Sequence, residues 1–162
     1  MDRDRSVTAL FSAPADAATT YYVSVDGDDA NDGTTPQSAL RSIQKAVGFG
    51  HRAAPDGLRS TVIIGEGVFE PSETLEVWEQ VNLIGQGPGL TTLRVAPDAA
   101  SPEYIAVRLG PKSNLENVTV ELPADVVGPA VLVDMGQWNR IGLINCFLDG
   151  APNTGVVDSI GV

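Results

Sequence analysis

The feature that most constrains this chain is an internal repeat. LENVTV at 115–120 superposes on LINCFL at 143–148, with leucine and asparagine in matching places and 28 residues from Asn117 to Asn145. A strand-like run ending in glycine precedes each copy, AVRLG at 106–110 and LVDMG at 132–136, with 26 residues between the two glycines. VNLIG at 81–85 reads as an earlier, looser copy. A recurring order of strand, glycine turn, strand and inward asparagine is expected when each repeat is one coil of a solenoid. Equivalent residues then stack on adjacent coils about 4.8 Å apart. Leu115 would lie over Leu143 and Val118 over Cys146 as an apolar column. Asn117 over Asn145 would form a ladder in which the amides satisfy one another.

The rest of the chain after residue 60 has the same texture. Short runs rich in β-branched residues (TVIIGEGVF, TLEVWEQVNLIG, TTLRVA, YIAVRLG, NLENVTVEL, AVLVDMG, RIGLINCFLDG, TGVVDSIGV) alternate with Gly, Pro and Asn, and no helical pattern interrupts them. Missing crossover helices disfavour a βαβ sheet, and turns that lack the spaced Asn-Gly or Asp-Gly pairs hairpins prefer disfavour hairpins. The repeat then selects a solenoid over a sandwich or barrel. The 102 residues from Thr61 to Val162 make about four coils at this period.

Before residue 60 the pattern differs. YYVSV at 21–25 suits a first strand, and DGDDANDGTTP after it is dense in turn formers. Thr35 can cap a helix with Pro36 at its first position, and Leu40, Ile43, Ala46 and Val47 recur on one helical face until Gly48 and Gly50. One helix is therefore expected over about 36–47. Residues 1–20 open with the balanced charges of MDRDRS and have no apolar run long enough for a signal core, so they read as an extended arm ahead of a single domain at 21–162.

These N-terminal motifs, YYVSVDGDDANDGTTPQSALRSIQKAV at 21–47, TVIIGEGVFEPSETLEV at 61–77 and VNLIGQGPGLTTLRV at 81–95, resemble the right-handed parallel β-helix proteins of the pectate-lyase-like superfamily. GEGVF stands where those proteins usually have a proline-glycine turn. The resemblance implies an all-β fold, a short right-handed parallel β-helix whose N-terminal end is plugged by the 36–47 helix. It carries fold and not activity, since the same architecture serves enzymes and inert structural proteins.

Candidate chemistry is sparse. Arg108 and Asp134 each stand two residues before a repeat glycine and are expected to be neighbours on successive coils, with Asp158 following on the next. Such a column could be a carboxylate site or a surface ion pair along a β ladder. Asp26, Asp28 and Asp32 are candidate calcium ligands, but an EF-hand register from Asp28 puts Ala30 and Ala39 at required ligand positions, which favours Asx turns. Trp78 and Trp138, each beside a coil turn, could stack sugars or enter a subunit interface. His51 stands alone, and the single cysteine, Cys146, reads as a small hydrophobe. No cofactor is implied.

Against 21 acidic side chains the chain has 10 basic ones, a formal charge of −11 that argues against nucleic acid and anionic membranes as partners. The chain reaches VVDSIGV in what reads as another coil without a polar cap, so a covering partner is expected. The expected role is a non-enzymatic structural protein of a virion, a head decoration, spike or tail component of a bacteriophage-like virus. It would be a homo-oligomer, with a trimer favoured, bound to other virion proteins. The alternatives are a secreted polysaccharide lyase or hydrolase and a non-catalytic carbohydrate-binding module that contacts a surface polysaccharide.

Overall fold

The computed structural model describes residues 19–54, 58–96, 104–123, 130–136 and 140–149. Most of the 1–20 arm, Trp138 and Asp158 therefore lie outside the described residues. Among the described residues the fold is mostly β, with three parallel sheets and one α-helix. The first sheet has the order β1-β2-β5-β8-β11, formed by Thr20–Val23, Ser60–Ile64, Val81–Ile84, Asn114–Glu116 and Gly142–Ile144. The second, β3-β6-β9-β12, is formed by Gly67–Phe69, Thr91–Arg94, Thr119–Glu121 and Phe147–Asp149. The third, β4-β7-β10, is formed by Leu75–Val77, Tyr104–Leu109 and Ala130–Asp134.

From β2 onward the chain visits the three sheets in strict rotation, and each return lands parallel to and beside the previous visit. Every run that bridges two sheets breaks at a corner: TVIIGEGVF becomes β2 and β3, NLENVTVEL becomes β8 and β9, and RIGLINCFLDG becomes β11 and β12. Inward positions alternate with outward ones, as a pleated strand requires. Val62, Leu83 and Leu115 are fully buried in one row of the first sheet, and Leu93 and Val120 face them from the second. Removing each such side chain from water contributes about 1.5–3 kcal/mol, which sets this enclosed column as the main source of stability.

Two corners recur with a left-handed backbone. Gln80, Lys112 and Arg140, with φ of 65°, 57° and 66°, each lie two residues before the register-paired Asn82, Asn114 and Gly142. Asn117 and Asn145, at 56° and 49°, follow the paired Glu116 and Ile144. Asparagine accepts this conformation more readily than other residues with a Cβ, because its short side chain can bond locally. The Asn145 amide donates to the Asn117 side-chain carbonyl at 2.8 Å. These asparagines mark corners and do not point into the core: Asn117 is half-buried and Asn145 exposed. One coil earlier the position belongs to Gly85, where a Cβ would lie 2.4 Å from the Asn117 carbonyl oxygen. The looser third copy therefore has glycine because the next coil crosses too closely for any side chain.

The helix differs from the sequence expectation. Pro36–Ser38 is a separate 3₁₀ turn capped by Thr35, and α1 spans Ile43–Ala53 with Ser42 as its N-cap. Between them the backbone is held extended. The Leu40 N–H donates to the Tyr22 carbonyl, Ser24 donates to the Leu40 carbonyl, and Asp29 Oδ1 accepts the N–H groups of Arg41 and Ser42. Gly48 and Gly50 lie inside α1 instead of ending it. A Cβ at Gly50 would be 3.2 Å from that of Ser60, so glycine here lets the helix approach β2.

These contacts also protect open sheet edges, which would otherwise present unpaired backbone groups. The 33–40 segment covers β1: the Tyr22 N–H donates to the Gly33 carbonyl, and Leu40 bonds on both sides of Val23. Gln44 of α1 covers β4, its amide donating to the Glu76 carbonyl at 3.1 Å while its oxygen accepts the Glu76 N–H at 3.0 Å. Ile43, Ala46 and Val47 then close the core at that end.

Gly85→Ala tests the close crossing of coils. The added methyl meets backbone and the Val118 side chain at 2.6 Å, so neither neighbour yields cheaply. Chemical denaturation should show a loss of at least about 2 kcal/mol, whereas a change below about 0.5 kcal/mol would mean that the coils are not packed this tightly.

Candidate functional site

The third sheet carries the principal charged row. Register pairing places Glu76, Arg108 and Asp134 side by side on β4, β7 and β10. The Arg108 guanidinium bonds Glu76 through Nη1 at 2.6 Å and Asp134 through Nε at 3.2 Å. Asp134 is further committed, accepting the Gly136 N–H at 2.8 Å. The second sheet repeats the arrangement with different residues. Arg94 lies between Glu70, at 3.0 Å, and Glu121, at 3.2 Å. All these side chains are at least a third exposed or close to it. Pairs this exposed contribute little to stability, because solvent screens them. Their shared effect is to separate Glu76 from Asp134 and Glu70 from Glu121 along the ladders, although Asp149 lies directly beside Glu121 on the last strand.

Sequence spacing paired Arg108 with Asp134 but missed Glu76 and the whole Arg94 triplet. Glu76 precedes Arg108 by 32 residues, not 26, because the connection between β6 and β7 is long. The usable signal was the core pattern LEV at 75–77 set against VRL at 107–109, which fixes the register without any constant period.

Beside the third sheet's row, at the corner leading to β5, lies a shallow groove. Trp78 is 40% exposed there, and His51 meets its ring edge-on at a centroid distance of 5.1 Å. His51 Nδ1 is 3.3 Å from the Glu79 carbonyl oxygen. Glu79 itself bonds Gln80 and Lys112, and these hydrogen bonds, with the Lys112 charge, hold its carboxyl below the ordinary range. Gly110 and Pro111 form the adjoining wall, and the ladder residues Glu76 and Arg108 border it. An exposed indole flanked by a guanidinium and carboxylates can present an apolar face together with hydrogen-bonding groups.

The aspartate loop is occupied by its own backbone. Asp28 Oδ1 accepts the Ala30 N–H, Asp29 Oδ1 accepts Arg41 and Ser42, and Asp32 Oδ1 accepts the Thr34 N–H and the Thr34 and Ser38 hydroxyls. The Asp26 N–H donates to the Ser24 hydroxyl. Among the described residues no group of three His, Cys, Asp or Glu side chains is placed to hold a metal ion. Cys146 is partly buried and its Sγ donates to the Leu115 carbonyl at 3.2 Å; burial raises the thiol pKa, the direction opposite to a reactive thiolate.

The loop yields a pH prediction. Hydrogen bonds from the Thr34 N–H, then from the Ser38 and Thr34 hydroxyls, lower the Asp32 pKa in the folded chain. A depressed folded value contributes stability that is complete above the unfolded aspartate value near 4 and is lost as pH falls through the folded one. The melting temperature should therefore fall on acidification below about pH 4, and the fall should be smaller in Asp32→Asn. Parallel acid limbs in the two proteins would show that Asp32 carries none of it.

No family model and no curated protein sequence matches the chain, so its assignment rests on the geometry of these rows, corners and grooves.

Proposed function

We propose that the chain is a right-handed parallel β-helix of about four coils. We further propose that it serves as a non-enzymatic structural subunit of a virus particle: a head decoration, spike or tail part of a bacteriophage-like virus. In this reading it is a homo-oligomer held in the particle through its N-terminal segment. The observation that carries the structural reading is the duplicated acid–Arg–acid row. An active site is a unique arrangement, whereas the Glu76–Arg108–Asp134 row has a counterpart in Glu70–Arg94–Glu121 on another sheet. Such repetition is the mark of a stacking device. Placement in a virion follows from the use of this kind of fold as a rigid projecting part, which is an argument by analogy.

The purified chain should release no products from a panel of neutral and acidic polysaccharides, and antiserum against it should label isolated virus particles in electron micrographs. Cleavage that disappears in Asp134→Ala would replace the structural reading with an enzyme. Label confined to free protein would remove the virion placement.

One observation favours a second reading, a sugar-contacting surface without catalysis. The Trp78 indole lies open beside hydrogen-bonding side chains, the combination on which a pyranose ring can stack. Titration with soluble oligosaccharides should then quench tryptophan fluorescence. Trp78→Ala should abolish binding while leaving the melting temperature within about 1 °C of the parent, since an exposed side chain contributes little to the fold.

A further inference from the structure

Thr19, where the described chain begins, stands at the corner that carries the Trp78 groove. Its carbonyl accepts the Thr61 N–H at 3.0 Å, and the neighbouring Ser60 N–H donates to the Gln80 carbonyl. His51 reaches from α1 to the Glu79 carbonyl and the Trp78 ring at the same place. By register, Thr19 is two ladder spacings from Val81, and Trp78 is three residues before Val81, a separation of roughly 15 Å. The other exposed apolar side chains lie farther off. Val68 and Leu90 follow the opposite ends of β2 and β5, and Ile144, Phe147 and Leu148 belong to the last coil. The residues that precede Thr19 read MDRDRSVTALFSAPADAA, and an extended segment sorts them by alternation. Arg3, Arg5, Val7, Ala9 and Phe11 share one face, while Asp2, Asp4, Ser6, Thr8 and Leu10 take the other. The balanced charges are thus divided, with the cations on the side of Phe11.

We propose that the chain's own residues 1–18 dock in this groove, with Phe11 against the Trp78 indole and Arg3 and Arg5 toward the acidic row. The groove presents the matching pattern. Trp78 supplies the open apolar surface, and the carboxylates of Glu76, Glu79 and Asp134 outnumber their partners Arg108 and Lys112. Length selects the occupant. Phe11 is 8 residues from Thr19, a tether whose root-mean-square reach is roughly 16 Å, close to the span it has to cover. A contact closed within one chain pays little for loop closure, and its effective concentration is of order millimolar. A free partner must exceed that to compete. The inference is independent of the virion reading and goes beyond it. It gives the groove an intramolecular occupant that a sugar ring would have to displace, and that the particle would have to draw away before the arm could serve as an anchor.

Acrylamide quenching in a full-length Trp138→Phe background reads the Trp78 indole alone, since the chain has 2 tryptophans. In that parent the indole should be shielded. Phe11→Asp should weaken docking at least about tenfold and raise the quenching constant toward that of a free indole. Arg3→Glu combined with Arg5→Glu should raise it in part, an effect that added salt should mimic in the parent. A photoreactive p-benzoylphenylalanine in place of Phe11 should cross-link within one chain to residues 76–80 or 108–111. Far-UV circular dichroism should be the same throughout, because positions 3, 5 and 11 precede the first strand. Quenching as high in the parent as in Phe11→Asp would overturn the docking. Cross-links confined to other parts of the chain would overturn the groove as its site. Shielding that grows with protein concentration, with cross-links between chains, would overturn the chain's own arm as occupant and assign the groove to the arm of a second copy. The labelling of virus particles is a separate measurement, so either reading can fail without the other.

Discussion

The backbone ladder between successive turns of the chain is the constraint from which the rest follows. When each return to a sheet lies parallel to the last and in fixed register, every residue has an equivalent directly above or below it. An apolar residue then repeats into a dry column, as Leu83 and Leu115 do, and a residue that bends the chain must bend it at the same place on the next turn. Gln80, Lys112 and Arg140 accept an unfavourable left-handed conformation for this reason. Their side chains share no property that would favour it, but the register demands a corner there. The strain is offset by the two strands that each corner brings onto the core.

Register also dictates how charge is handled. Stacked carboxylates destabilise a ladder, and the chain interposes arginine on two rows, leaving Asp149 beside Glu121 as the one direct acidic pair on these rows. Because these guanidiniums reach both neighbours, they link three successive turns on the outside much as the leucines do within. The ladder has a cost at its ends, where a strand has only one partner. At the N-terminal end that cost is met locally: the 33–40 segment serves as a partial strand for β1, and the single amide of Gln44 reproduces both bonds that a neighbouring residue would make to Glu76. The helix is thus more than an apolar plug.

The parallel stacking was legible because it leaves a period, and the glycine step of 26 residues was enough to set Arg108 against Asp134. What escaped the sequence escaped for physical reasons. The helix start is set by Asp29 accepting N–H groups 12 and 13 residues away, an interaction with no local signature that overrides the favourable Thr35-Pro36 start. Glu76 and the Arg94 triplet were hidden by connections of unequal length, since insertions at corners change the spacing without disturbing the register. The corner role of Gln80, Lys112 and Arg140 was invisible because side-chain chemistry did not select them. Patterns repeated at a constant period were readable, and those carried across insertions or through long-range backbone contacts were not.

The same distinction bears on the outward rows. A solvent-facing position in a ladder is free to vary so long as it avoids like charge over like charge, so a polar residue at every turn would satisfy the fold. The second and third sheets use part of that freedom for rows in which arginine stands between carboxylates. The first sheet instead has isoleucine on β2, β5 and β11 at one outward register position, which neither the core nor the corners require. Stacked β-branched side chains do support one another along a ladder, which explains part of their presence. The second sheet draws on the same benefit in its uncharged outward row, Val68–Thr92–Thr119–Phe147. The outward rows therefore divide into charged ones, held by bridging arginines, and uncharged ones, held by β-branched and polar neighbours along the ladder.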